Sequence, residues 1–198
     1  VFDEHGISVD LLATSEVSVS LTIDDDRRLA AVVAELSAFA RVDVERELTG
    51  TRLMARLTSQ RYDIVHLVLL ADRDRGDLIF SAIDPQTAQP LDAVADTMTP
   101  AALAALLKET QARLVVLATC HALLLAVEVA HVANMAASDS VITGAQAEQW
   151  ERCFYGLLAE GVPLYKAFEL TRLKSDTPIR AVRNQDLRFK VQPAPATH

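Results

Sequence analysis

The sequence predicts an α/β domain: a mostly parallel β-sheet covered by helices on both faces, in three α/β/α layers. Two observations carry that expectation. The runs Tyr62–Leu70 and Arg113–Thr119 are apolar almost throughout, as expected of strands buried on both faces of a parallel sheet. Around them the apolar spacing lengthens to that of amphipathic helices, so strands and helices alternate along the chain. A chain of 198 residues, 51% of them hydrophobic, can bury one good-sized core, and we read 1–198 as a single domain. Only 5% of its residues are aromatic, so that core is built chiefly from Ala, Val, Leu and Ile.

From the amino terminus, Ile7–Ala13 is a first candidate strand. Glu16–Ile23 alternates strictly, with Val17, Val19, Leu21 and Ile23 on one face, which is the pattern of a half-buried strand. Asp24, Asp25 and Asp26 supply capping carboxylates for a helix, whose apolar face is Leu29, Val32, Val33, Leu36 and Phe39. Val42 and Val44 suggest a short strand. Thr51–Gln60 is expected to be helical with Leu53, Met54 and Leu57 inward. After the Tyr62–Leu70 strand come a charged turn, Ala71–Gly76, and a strand over Asp77–Ile83. Pro85 and Pro90 mark a loop. Thr99 and Pro100 form a helix start, a capping hydroxyl followed by Pro at the first helical position, with Leu103, Leu106 and Leu107 as the buried stripe. The Arg113–Thr119 strand leads to a helix over Ala122–Ala136, a short strand over Ser140–Thr143, and a helix carrying Trp150, Phe154, Leu157 and Leu158 that stops at Gly161, a natural C′ residue. Pro163 opens a further helix through Leu173. A weak strand is expected over Leu187–Val191, and residues 192–198 form a Pro-Ala tail.

Composition excludes several function classes. A net charge of −8 and a pI near 5.1 oppose nucleic-acid and anionic-membrane binding, both of which need a basic footprint. The longest apolar stretch, Leu114–Ala137, is interrupted by His121, Glu128, His131 and Asn134, so no membrane span is expected. No signal-peptide pattern is visible near Val1–Gly6, and the chain begins without Met, so a cytoplasmic piece of a longer protein is expected. Cys120 and Cys153 have no metal-ligand spacing and are expected to be reduced thiols. The sequence carries no cofactor or metal motif and does not specify an oligomeric state.

In parallel α/β sheets, ligand and catalytic groups gather beyond the carboxyl ends of the central strands. Here those ends are Leu70–Asp74 and Thr119–His121. Cys120 sits just past a buried strand and just before a helix, where a helix N-terminus favours thiolate. A nucleophilic Cys also needs a base, usually His; an inert buried thiol is the other reading.

The order of several segments resembles the CHAT family, a branch of the caspase-like cysteine peptidases. Leu114–His121 resembles its apolar strand ending in a small residue and the nucleophilic Cys. Tyr62–Leu67 resembles the strand preceding its catalytic His, and Gly76–Phe80 resembles the Gly-x-Leu strand that follows. Phe154, Tyr155, Leu157, Leu158, Gly161, Leu164, Ala167 and Phe168 resemble its Phe-Tyr, Leu, Gly and Ala signature. The resemblance covers roughly 61–172 and implies a caspase-like sheet. It also implies a Cys-His dyad, but Leu70 stands where the family's base is expected and Ala71 where a Gly follows it. Leucine transfers no proton. His66 lies four residues earlier on the same predicted strand, roughly 13 Å back along it, and reads chiefly as a buried structural His. His121 adjoins Cys120 and is the other candidate base; His131 is expected deep in the following helix, and Cys153 in the core. Asp72, Arg73, Asp74 and Arg75 could line a cleft or form a solvated turn.

The resemblance therefore implies a degenerate domain acting as a protein-interaction or regulatory module. Its partner would be a protein or peptide, within a larger bacterial chain bearing TPR repeats or other signalling domains. Two alternatives stay open: an active cysteine endopeptidase using Cys120 with His121 or His66 as base, and an unrelated flavodoxin-like ligand-binding or receiver domain.

Overall fold

The computed structural model describes residues 16–20, 40–45, 48–80, 96–110, 112–118, 121–182 and 187–189. The expected strand over Ile7–Ala13, the helix after Asp26 and the loop at Pro85 and Pro90 lie outside them. The main sheet is six-stranded, with strands β1 (Glu16–Ser20), β2 (Arg41–Val44), β3 (Ile64–Leu67), β7 (Leu114–Leu117), β8 (Asn134–Ser138) and β9 (Ile179–Val182) in the order β2-β1-β3-β7-β8-β9. All neighbours are parallel except β8 and β9, which are antiparallel. A separate antiparallel sheet joins β4 (Leu70–Ala71), β5 (Leu78–Phe80) and β6 (Asp96–Met98).

Alternation along each strand splits the core into two halves. Val65, Leu67, Val115, Leu117, Met135 and Ala137 face one side, packed with α1 (Gly50–Ser59), α2 (Pro100–Thr110), α3 (Leu123–Val129) and the small sheet. Ile64, Leu114, Val116 and Ala136 face the other, under α4 (Gly144–Ala159) and α5 (Leu164–Lys174). The molecule is thus the expected mostly parallel α/β arrangement in three layers. On the second side the few aromatic rings cluster: Trp150 stacks on Phe154 at 4.4 Å, and Phe154 meets Phe168 at 4.6 Å between ring centres.

Local chemistry explains the element ends. Thr49 caps α1 by accepting from the Arg52 N–H at 3.1 Å, and the Gly50 N–H donates to Asp96 at 2.7 Å. Thr99 caps α2 in the same way, accepting from Ala102 at 3.2 Å. A reciprocal capping box joins Thr143 and Gln146 at the start of α4. At its end Gly161 has φ +73, its N–H donates to Leu158 and that of Val162 to Leu157, both at 3.0 Å. These two bonds make a Schellman motif.

Five expectations are corrected. The apolar run from Tyr62 does not continue as one strand to Leu70: β3 ends at Leu67 and Leu70 pairs with Ile79 in the small sheet. The expected helix over Ala122–Ala136 is short, ending at Val129, and its last residues, from Asn134, belong to strand β8; an unbroken apolar run carries no period that separates helix from buried strand. There the His131 Nδ1–H donates to the Glu128 carbonyl at 2.9 Å and the Asn134 amide to Arg113 at 3.0 Å, turning the chain. Residues 141–143 are accordingly a loop rather than a strand; residues 187–189 of the expected Leu187–Val191 strand lie outside any strand, and the last strand among the described residues is β9. Met54 is 53% exposed rather than inward.

Candidate functional site

Strand order reverses between β1, which carries β2 on one side, and β3, which lies on its other side. In open parallel sheets this switch point opens a crevice beyond the strands' carboxyl ends. Three described segments follow the carboxyl ends of β3, β7 and β8. After β3 the chain crosses into β4 and returns through the Asp72–Asp77 turn. The Asp72 N–H donates to Asp77 and the Gly76 N–H to Asp72, both at 2.8 Å. The Asp72 carboxylate accepts from the Arg75 N–H at 2.8 Å and the Asp74 N–H at 3.0 Å. The Arg75 N–H is the main reason its carboxyl titrates below the ordinary carboxylate range, aided by the Asp74 N–H and the Arg75 charge. Residues 73–75 are exposed, so this charged segment is largely a solvated turn. Gly76, at φ +72, brings the turn against α3: a Cβ there would lie 3.1 Å from the Leu125 backbone nitrogen.

After β7 the Ala118 N–H donates to Leu67 at 3.1 Å. Thr119 and Cys120 lie outside the described residues. His121 follows, half-buried, with φ +58. A left-handed backbone costs a non-glycine residue about 1–2 kcal/mol, which the surrounding structure must supply. One restraint is its N–H, which donates to the Ser140 carbonyl at 3.3 Å and ties the exit of β7 to that of β8. The Ser138 hydroxyl donates to the same carbonyl at 2.6 Å. Among described non-glycine residues, His121 alone has positive φ, and such strain concentrates at functional sites.

His66 is elsewhere. It is 1% exposed and lies on the α4 side of β3. Its Nδ1 is 2.7 Å from the Tyr155 hydroxyl, and its Nε2 is 3.2 Å from Glu151 Oε1. The second contact is close, yet the carboxylate sits off the line of a good hydrogen bond, since Nε2 has no geometrically sound partner. Burial pushes the Tyr155 hydroxyl well above its ordinary value, and the Glu151 charge adds to the shift. A neutral Tyr155 that donates to Nδ1 leaves the imidazole proton on Nε2, facing Glu151. In register, His66 is flanked by Val19 and Val116.

The structure thus separates the sequence-predicted residues. His66 is held in the interior, and Leu70 leaves the main sheet altogether, so the distance inferred along one continuous strand does not apply. His121 stands at the rim. His131 lies beyond the end of α3 and is exposed. Cys153 is a free thiol, half-buried against the second core. Sequence reasoning missed Glu151 and Tyr155 as partners of His66. The signal was present: they stand four apart on α4, beside the Trp150 and Phe154 stripe, so one face holds both. Among the described residues no group of three His, Cys, Asp or Glu side chains is placed to hold a metal ion, and no helix is long and apolar enough to cross a membrane. No protein-family model and no curated protein matches the chain.

Proposed function

We propose that this chain is a catalytically degenerate CHAT domain, of caspase-like type, that works as a protein-interaction or regulatory module and does not cleave peptides. The observation that carries the reading is the state of the histidine on β3. His66 is buried and held by Tyr155 and Glu151 on the side of the sheet occupied by α4. A general base must come within hydrogen-bond reach of the group it serves, directly or through one water. The position after β3 where the family resemblance expects the base carries Leu70 instead. Losing general-base catalysis alone removes about 10²–10⁴ in rate. In this reading the carboxyl-end rim of the sheet, where the Asp72–Asp77 turn and the Ser140 loop lie, takes a peptide without reacting with it. The resemblance extends the proposal to a bacterial, cytoplasmic protein in which TPR or other signalling modules flank this domain.

One observation favours a second reading, an active endopeptidase with Cys120 as nucleophile and His121 as base: the left-handed backbone of His121, adjacent in sequence to Cys120. A third is also compatible with the topology. The order β2-β1-β3-β7-β8 of the parallel strands is that of flavodoxin-like sheets, to which β9 and the small sheet are additions.

Incubating the protein with a diverse peptide library, followed by mass spectrometry and by treatment with a peptidyl electrophile, separates the first two readings. The degenerate module gives no cleavage above that of Cys120→Ala. Cleavage abolished by both Cys120→Ala and His121→Ala overturns it in favour of the enzyme.

A further inference from the structure

At the opposite rim of the main sheet, a cavity of about 600 Å³ opens at the amino-terminal ends of β7 and β8. It lies within the size range of small-molecule sites, roughly 300–1,000 Å³. It is separated from the crevice above by the length of β7, roughly 10 Å. Its described lining residues include Lys108, Arg113 and His131, and none of them is a carboxylate. In a chain of net charge −8, Lys108 and Arg113 gather positive charge around one concavity.

Arg113 and His131 are already oriented. The Arg113 guanidinium lies 3.4 Å from Asp63, donates to the Arg188 carbonyl at 3.3 Å and sits 4.9 Å above the Phe189 ring. Asp63 offsets part of its charge but fixes its plane, so little side-chain entropy is left to lose on binding. His131 donates its Nδ1–H to the Glu128 carbonyl at 2.9 Å, and its Nε2, which has no partner among the described residues, donates to an anion when the ring is protonated. Lys108 is exposed and forms no ion pair among the described residues. Val132 and Leu187, both half-buried, provide aliphatic surface beside these basic groups.

We propose that this cavity binds a small organic anion, with a carboxylate or phosphate head set among Lys108, Arg113 and His131 and an apolar body against Val132 and Leu187. Two cations and a histidine in a concave site suit one small ligand. They do not make the extended basic surface that a nucleic acid requires. The site uses none of the residues of the crevice, so it stands or falls independently of the peptidase resemblance.

The test is titration of the ¹⁵N-labelled protein with octanoate, phenyl phosphate and inorganic phosphate, followed by amide shifts. Lys108→Glu and the double variant Lys108→Glu/His131→Gln serve as comparisons, because both side chains are exposed and the melting temperature reports whether the fold survives. Saturable shifts at Lys108, Val132 and Ala133 are expected with octanoate or phenyl phosphate, whichever head the site prefers, with inorganic phosphate weaker because it lacks an apolar body. Lys108→Glu should weaken binding by roughly tenfold, the worth of one charge-assisted hydrogen bond, and the double variant by more. Absence of saturable shifts with all three up to about 10 mM, or saturable binding unchanged in both variants at unaltered melting temperature, overturns the proposal. Inorganic phosphate binding as tightly as both organic anions overturns the apolar half of it.

Discussion

A histidine with 1% of its surface exposed must find partners for its ring nitrogens inside the protein. Tyr155 satisfies one; Glu151 lies against the other with poorer geometry. The Tyr155→Phe substitution keeps the ring and its packing but removes the hydroxyl, leaving Nδ1 of His66 buried and unpaired. The expected cost is about 1–3 kcal/mol of unfolding free energy, the penalty of an orphaned buried polar group, measured by urea denaturation at neutral pH. The same hydroxyl gives a pH signature. Its proton is held more tightly in the fold than in the unfolded chain, because burial and the Glu151 charge both oppose the phenolate. This contribution is fully present below the unfolded value near 10. Above it the folded protein binds more protons than the unfolded one, so stability falls as pH rises toward the folded value. Stability measured above about pH 10 should therefore decline less steeply in Tyr155→Phe than in the native protein. Equal slopes would show that Tyr155 is not the group that resists ionisation.

Helices and turns obey local rules, and those rules were largely readable. Thr99 and Pro100 announced α2, and Gly161 announced the end of α4, because a capping hydroxyl, a fixed φ and a left-handed C′ position each demand particular residues. The strand β8 was not readable, since Met135, Ala136 and Ala137 continue the apolar composition of α3 and only their neighbours in space decide between helix and strand. The candidate site divides in the same way. Cys120 and His121 follow directly from the end of an apolar run. The burial of His66 depends on two side chains 85 and 89 positions away, at 151 and 155, and no local pattern reports that. The two positive-φ glycines offer a graded test of local against tertiary demand. At Gly161 an added Cβ meets nothing within 4 Å, so Gly161→Ala suffers only the left-handed penalty, about 1–2 kcal/mol. At Gly76, φ +72, the same Cβ also meets the Leu125 backbone nitrogen at 3.1 Å, so the Asp72–Asp77 turn or α3 must shift. Gly76→Ala should therefore lower the denaturation midpoint more than Gly161→Ala. A reversed order would mean that the turn does not pack on α3 as described.

Across the described residues, the centre of the main sheet is covered on both faces and the edge strand β9 is less so. Leu114, Val115, Val116 and Leu117 of β7 are each fully buried, two under α4 and α5 and two under α1, α2 and α3. By contrast, Arg180 and Ala181 of the edge strand β9 are exposed, as are Asp96 and Thr97 of β6. Local opening is cheap where few buried contacts are lost and dear where both core halves must separate. Amide exchange under native conditions should therefore rank the strands. The amides of β7 and the facing residues of β3 and β8 should exchange only by global unfolding, with a free energy equal to that from denaturant titration. Those of β6 and β9 should exchange at lower free energy, because each can detach without dividing either half of the core. Tyr155→Phe sharpens the test, since it weakens the tie between β3 and α4 alone. It should lower protection in β3, β7, β8 and α4 by the full loss of global stability while leaving the sub-global opening of β6 unchanged. Uniform loss of protection in every strand would instead identify the two sheets and both core halves as one indivisible unit.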